Sequence, residues 1–482
     1  MSLNLAFGNA LSGLFANSRM AEVVSANLAN ALTEGYARRM VALSAVSIDG
    51  RGAGVRVDGL SRQVDRALLA DRRSAETTLT DRRTLASTLR GLEGDLGSSE
   101  AGTSLAARLQ ALEGALVAAS ADPSSDLRLG QVVDRLGGVA STLRDGAAAV
   151  QTRRAEADAS IASQVGDLNT ALQGLAQLNS DIAVAQATGR DATGLMDQRQ
   201  VLLDKVATIV PIREMDRPGG AIALVTPQGA TLLDGSRAVT VGFTASPVIT
   251  ADRTLASGWL SGLTLDGEPV GVDGIGRLAG GALGAAFALR DTTLPAAGAS
   301  LDALARDLIE RFADPATDPT LGGAPGLLTD AGAALSPTAP VGLAGRIAIN
   351  AAVDPATNGS PSLLRNGLGS AAPSVPAGES AQIGRWLDAI EQPRGLISGG
   401  PQSSAAMLAA EFEAGLGTQR LAAEEAESFA GARWSGLREA ELANGVDSDQ
   451  EMQMLLEVER AYAANAKVIS AVDEMMQTIL EI

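Results

Sequence analysis

The sequence predicts a mainly α, multidomain α+β protein with paired N- and C-terminal coiled-coil helices, an elongated helical bundle and a small, outer β-rich domain. Three observations carry this. Apolar residues make up 46% of the 482 but aromatics only 2%, so the apolar content is Ala, Leu and Val, which suits slender helices and small sheets rather than one large core. Apolar stripes of heptad spacing mark both ends, and helical periodicity fills most of the interior. One stretch, 212–275, switches to short Val/Leu/Thr runs between Gly, Pro and Asp-Gly turns, the pattern of a β domain. A chain of this length outgrows a single core, so several domains are expected.

The elements follow in order. Leu3, Phe7, Ala10, Leu14, Asn17, Ala21, Val24 and Leu28 alternate by four and three, a seam with one polar position. Beyond Leu28, the polar residues Asn30, Thr33 and Glu34 and a Gly35 able to take positive φ read as a helix stop and turn. Tyr36 restarts an extended region ending in VSIDGRGAGVRVDGL, where Val55 and Val57 predict a short hairpin; this first unit is 1–60. Residues 61–211 form the first part of the bundle. Its leucine-rich runs are 85–96, 105–116, 129–150 and 161–182, with glycines at 94, 97 and 102 and Asp122-Pro123 as breaks. Arg62, Arg66, Arg72, Arg73, Arg82, Arg83 and Arg90 alternate with acids and read as a solvated face. In LMDQRQVLLDKVATIV, Leu195 to Val210, one apolar face leaves Asp197 and Arg199 as a surface ion pair.

A β-rich outer domain is assigned to 212–380, with a helix at about 276–313 that Pro295 kinks or restarts, Ala/Gly/Pro-rich loops after it and a strand at Arg346 to Asn350. Helical pattern returns over 381–444 and closes the bundle. The last unit, 445–482, carries a second seam: Leu455, Val458, Tyr462, Asn465, Ile469, Val472, Met476 and Ile479. A buried Asn costs stability unless another polar group meets it, so Asn17 and Asn465 read as register markers between helices. Residues 1–90 hold 12 Arg against 8 acids, and 404–482 hold 5 Lys plus Arg against 15 acids. The two ends therefore attract, which guides orientation more than affinity.

Composition also excludes. The chain has no Cys and no His, which removes disulfides, thiol nucleophiles, catalytic triads and the common zinc sites. No catalytic motif, cofactor loop or metal cluster is legible, so the expectation is a protein that is not an enzyme, with no cofactor and no metal. Asp447 and Asp449 read as an acidic cap of the final helix. A formal charge of −18 disfavours nucleic acid and anionic membrane as partners. No apolar run approaches the roughly 20 residues that span a bilayer, and no basic n-region of a secretory signal is visible.

Asn27, Leu28, Asn30, Thr33, Gly35 and Tyr36 resemble the N-L/I-x-N-x-x-T-x-G-Y signature of bacterial flagellar axial proteins, and 445–482 is similar to the C-terminal helix of that family. Hook and distal-rod members would pass from Gly-Tyr into β-rich domains. The helical middle, and Leu195, Asp197, Gln198, Arg199, Leu202 and Val206 in place of a Leu-x-Asp-Gln-Arg-x-x-Leu-x-x-x-Leu segment, resemble the FlgK-type hook-filament junction family. Val206 stands where that segment has Leu. The resemblance implies an extracellular structural subunit exported through the type III apparatus. Its implied partners are further copies of itself in a ring or short tube, the hook protein, a second hook-filament junction protein and a cytosolic export chaperone on the C-terminal helix. The seam residues above, together with the signature, are then the subunit-interaction residues, and the terminal helices are expected to be disordered or loosely helical before assembly. A hook or distal-rod subunit, a non-flagellar coiled-coil binding protein and a carboxylate-based hydrolase stand as alternatives.

Overall fold

The computed structural model describes residues 3–48, 51–336, 341–370, 375–396 and 402–481. The first seam forms α1 (Leu3–Ala29), and the chain then enters an antiparallel hairpin, β1 (Arg39–Ile48) and β2 (Arg51–Arg62). This hairpin is longer than the valines alone imply, because β1 starts three residues after Tyr36. Residues 49–50 at its tip lie outside the described residues. Asp65 caps α2 (Arg66–Asp95) by accepting from two backbone N–H groups, and Ser104 and Ser125 cap α3 (Leu105–Ala121) and α4 (Asp126–Ala187) by accepting from one each. The runs at 129–150 and 161–182 fuse into α4, a single helix of 62 residues. Nothing between them stops it, since Gln151 to Ser160 contains neither Gly nor Pro.

After α4, α5 (Thr193–Ile209) turns back along it and leads into two small antiparallel sheets. One is a meander of β3 (Arg213–Asp216), β4 (Ile222–Val225), β5 (Thr231–Asp234) and β6 (Arg237–Ala238). The other joins β7 (Val241–Gly242), β8 (Thr264–Leu265) and β9 (Glu268–Pro269). Ile222, Leu224 and Leu233 share one core with Leu168, Leu172 and Leu175 of α4 and Val206 of α5. Each such side chain taken fully out of water contributes about 1.5–3 kcal/mol, so the helices hold these short strands in place.

The helix expected at about 276–313 is divided into α6 (Gly281–Ala288) and α7 (Leu294–Ala313) by a π-turn at Leu289–Thr293. Pro295 has no N–H to donate into the preceding turn, which relaxes the ladder there. The wide turn admits a buried network: Arg290 pairs with Asp158 at 2.7 Å, and Arg154 donates to the Arg290 carbonyl at 3.0 Å. Burial pulls the Arg154 guanidinium below its ordinary range, which nearby Asp291 opposes.

The loop-rich segment after α7 was expected to extend the β-rich unit, yet it lies on the helical bundle. β10 (Leu328–Asp330) pairs with β11 (Ile347–Ile349), the strand expected at Arg346 to Asn350. α8 (Leu363–Asn366) and α9 (Ala381–Glu391) follow, and Leu328, Ile347, Leu364 and Trp386 join Leu136, Leu143 and Phe312 in one core. Apolar side chains on these short elements have more buried surface to gain against α4 and α7 than against two-residue strands.

α10 (Ala405–Ala443) returns antiparallel to α2, with cross pairs Arg72–Glu441, Arg83–Glu427, Arg90–Glu424 and Arg420–Glu93. Finally α11 (Ser448–Leu480), capped by Asp447, lies along α1. The arginines expected on a solvated face divide. Arg66, Arg82, Arg83 and Arg90 are exposed, but Arg72 and Arg73 are buried, Arg72 pairing with Glu76, Asp204 and Glu441 and Arg73 with Asp204 and Glu214. A buried guanidinium needs acceptors for its donors, and for these two arginines acids on α5, β3 and α10 supply them. Among the described residues no helix is long and apolar enough to cross a membrane.

Candidate assembly interface

α1 and α11 pack antiparallel. Asn27 meets Glu451, and a Cβ built on Gly13 would sit 2.6 Å from the Asn465 amide nitrogen. Gly13 thus lets Asn465 rest against the α1 backbone. No hydrogen bond joins Asn17 to Asn465; the Asn17 amide nitrogen is buried without a partner among the described residues. The expected seam is covered in its middle, with Ala10, Asn17, Val24, Val458 and Val472 buried and Leu3, Leu14, Leu455, Asn465 and Ile469 partly so. Phe7, Leu28, Tyr462, Met476 and Ile479 stay exposed. The register explains the last two: with Asn27 opposite Glu451 and Gly13 opposite Asn465, α11 runs past Leu3 at about Met475, and nothing in α1 faces Ile479. The structure holds two continuous helices that half cover each other's stripe.

Leu11 and Phe15 are also exposed, Phe15 at 67%, and with Phe7 they form one stripe at four-residue spacing on α1. Val468, Met475 and Leu480 are uncovered on α11. The first seam's other flank lies on the hairpin, where the Val55 N–H donates to Ser12 Oγ at 3.2 Å and Asn9 donates to the Gly52 carbonyl at 3.4 Å.

At the inner end of the pair, the polar residues of 27–36 build a clamp. Asn27, 1% exposed, uses all of its hydrogen-bonding capacity. Its Oδ1 accepts from the Tyr36 hydroxyl (2.8 Å) and the Arg39 N–H (3.0 Å), while its Nδ2 donates to the Arg39 carbonyl (2.9 Å) and to Glu451 (3.1 Å). Glu451, also 1% exposed, accepts from Arg38 at 2.6 Å. Asn30 donates to the Ala26 carbonyl, closing the last turn of α1, and accepts from Thr33 Oγ1 at 3.2 Å. Gly35 has φ +76°, and a Cβ there would lie 2.6 Å from Val201 Cγ2, so the Gly-Tyr turn seats directly on α5.

Asp197 of α5 completes the clamp and corrects the surface-pair expectation. It is buried and does not pair with Arg199; it accepts from Arg39 (2.5 Å), Arg62 (2.8 Å) and the Ala37 N–H (3.3 Å). Arg199 instead donates to Asn179 Oδ1 (3.0 Å) and the Gly220 carbonyl (2.7 Å). Arg39 stacks 4.8 Å from the Tyr36 ring centre. Burial pushes the Tyr36 phenol above its ordinary value, Arg39 opposing and Asp197 and Glu451 assisting. Burial also lowers Arg62, opposed by Asp197.

Glu451 and Asp197 are the residues that sequence reasoning assigned no joining role. Glu451 had a signal: it stands four residues before Leu455, so the seam extended one step backward places a carboxylate in it. The arrangement ties 27–39, α5 and α11 together.

Two family models match. One, the flagellar hook-associated protein FlgK helical domain, covers residues 92–324; the other, the flagellar basal body rod FlgEFG protein C-terminal, covers 443–482. The chain is 29% identical over 240 residues to flagellar hook-associated protein 1 of Salmonella typhimurium, covering 48% of this chain and 42% of that one. It is 26% identical over 220 residues to the Bacillus subtilis protein of the same name, 43% of each. The matched stretch thus spans less than half the length of either relative. A solved structure, the flagellar hook junction protein FlgK from Burkholderia pseudomallei, aligns with a TM-score of 0.43 at 21% identity over 54% of this chain and 46% of that one.

Proposed function

We propose, for a chain that belongs to the FlgK type of the flagellar hook-associated protein family, that it is a structural subunit of the bacterial flagellum, polymerising through its paired terminal helices at the junction between hook and filament. One observation carries this reading. After α1 and α11 have packed together, Phe7, Leu11 and Phe15 on one helix and Tyr462, Met475, Met476 and Ile479 on the other remain uncovered. An apolar strip on so slender a pair is stable only when neighbouring copies cover it. Of the seam, Phe7, Leu28, Tyr462, Met476 and Ile479, with Leu11, Phe15 and Met475 beside them, are then the subunit contacts, while Ala10, Asn17, Val24, Val458 and Val472 hold the two helices to each other and 27–36 with Glu451 anchors the pair.

The ring or short tube so formed is extracellular, with the hook protein on one side and a second junction protein on the other. Export through the type III apparatus, with a cytosolic chaperone on α11, belongs to the same reading, because an uncovered strip of this kind needs shielding before assembly. The C-terminal segment is of a kind shared with rod proteins and does not separate branches. The helical-domain match over 92–324 supports the junction branch over a hook or distal-rod subunit. The test is removal of residues 455–482. Among the elements of the bundle α11 packs closely on α1 alone, so the shortened chain should stay folded by circular dichroism and fail to polymerise or to join purified hooks; undiminished incorporation would refute the helix-driven mechanism.

A further inference from the structure

A polar cleft of about 790 Å³ lies between β2, α2, α5 and β3, apart from the exposed helix strips, and six arginines and four carboxylates line it. Arg66 and Arg73 pair with Asp216 and Glu214 of the same lining and Arg19 with Glu22, but Arg190 and Arg199 make no ion pair among the described residues. Arg199 is 9% exposed and makes no ion pair among the described residues, spending one guanidinium nitrogen on two neutral oxygens. Arg62 must share Asp197 with Arg39. Two buried donors in the lining have no acceptor among the described residues: Nη2 of Arg73, 5% exposed, and Nε2 of Gln200, 8% exposed; Thr193 Oγ1 is likewise without a partner among them. A buried donor left unmade costs about 1–3 kcal/mol, and all three residues belong to the wall of this cleft.

An acceptor-only group is complementary to such a lining. The surplus of arginine over carboxylate favours a singly charged carboxylate, because a phosphate dianion would be repelled by Glu214 and Asp216 in the same wall. Carboxylates that lack cations are found on α11, where Glu457, Glu459, Asp473 and Glu474 are exposed and make no ion pair among the described residues. The chain's own α11 is committed to α1. We propose that this cleft is a carboxylate-binding site, filled in the assembly by an acidic side chain from the C-terminal helix of a second copy of this chain. The occupant rests on the polymerisation reading; the carboxylate chemistry rests on the cleft alone.

The experiment has two arms, both on the full chain. In the first, the unfolding midpoint of dilute, unassembled protein is followed with N-acetylglutamate, with its uncharged isostere N-acetylglutamine as control at equal ionic strength. Only the acid should raise the midpoint. Gln200→Glu, which puts a tethered carboxylate where an orphan donor stood and breaks no hydrogen bond described above, should raise it without ligand and abolish the response. Arg199→Gln should lose the response as well. Equal shifts from acid and amide, or none from either, overturn the site. In the second arm, sedimentation compares assembly of wild type and Gln200→Glu; the variant should need about tenfold more protein to polymerise, as expected for loss of one buried charge contact. Unchanged assembly of a variant that has lost the acid response overturns the second-copy occupant. Wild-type protein that responds to the acid but never assembles counts against the polymer reading itself and takes the assigned occupant with it.

Discussion

Gly35 occupies a backbone region closed to side chains, and a Cβ there would meet Val201 and the Asp197 carbonyl at sub-contact distance. Gly35→Ala should therefore cost about 1–3 kcal/mol, read by urea unfolding. Asn27 is specified as tightly by hydrogen bonding as Gly35 is by space. Asn27→Asp exchanges two donors for a second carboxylate beside Glu451, and should cost about 2–4 kcal/mol at neutral pH. Acidification that protonates one of the pair should restore part of it. Tyr36 adds an alkaline signature. Its folded phenol holds its proton above 10.0, the usual value, while the unfolded one releases it there. The stability it contributes is fully present below that value and drains as pH climbs through the raised one. Tyr36→Phe should flatten that extra alkaline slope in a stability-against-pH series. At this scale the signature was legible as a pattern, and its turn residues pointed to a helix stop. Its partners were not, since Asp197 and Glu451 lie 170 and 424 residues from Asn27, and nothing local encodes which carboxylate an asparagine will meet.

Helices were the most readable elements, because a 3.6-residue period survives whatever it packs against. Their ends were read where a cap or breaker exists, as at Asp122-Pro123 and Asp447, and missed where none does, as in the fusion of two runs into α4. The short strands were legible as a class; their placement against helices, and the return of β10 and β11 to the bundle, depend on which apolar surface offers more burial. The misread arginines teach the same thing: alternation with acids on α2 looks solvated until acids on other elements cover Arg72 and Arg73. For α1 against α11, the close approach at Gly13 gives a direct check. Gly13→Val should loosen the pair, Asn465→Ala should cost little, and the double variant should recover about 1–2 kcal/mol of the valine penalty, measured as a coupling energy. Additive effects would place Asn465 elsewhere.

Across the whole molecule, the pair α1–α11 stands end to end with the pair α2–α10, the clamp of Asn27, Arg38, Glu451 and Asp197 lying at the joint. The two pairs differ in backing. α2 and α10 share a core with α3, α4 and α7, whereas α1 and α11 have only each other and the hairpin. Hydrogen exchange on the unassembled chain should show α1 and α11 opening at distinctly lower free energy than α4, with the gap closing on assembly. The clamp's contact across 424 residues also sets an order of events. Joining ends that far apart in a floppy chain costs about 5 kcal/mol of closure entropy, nearly all of which is already met once α2 and α10 lie side by side. α1 therefore has no mate until α11 has been made, and a molecule interrupted between them carries an idle, sticky helix. Arrival of α11, rather than formation of α1, is the event that switches on a usable pair.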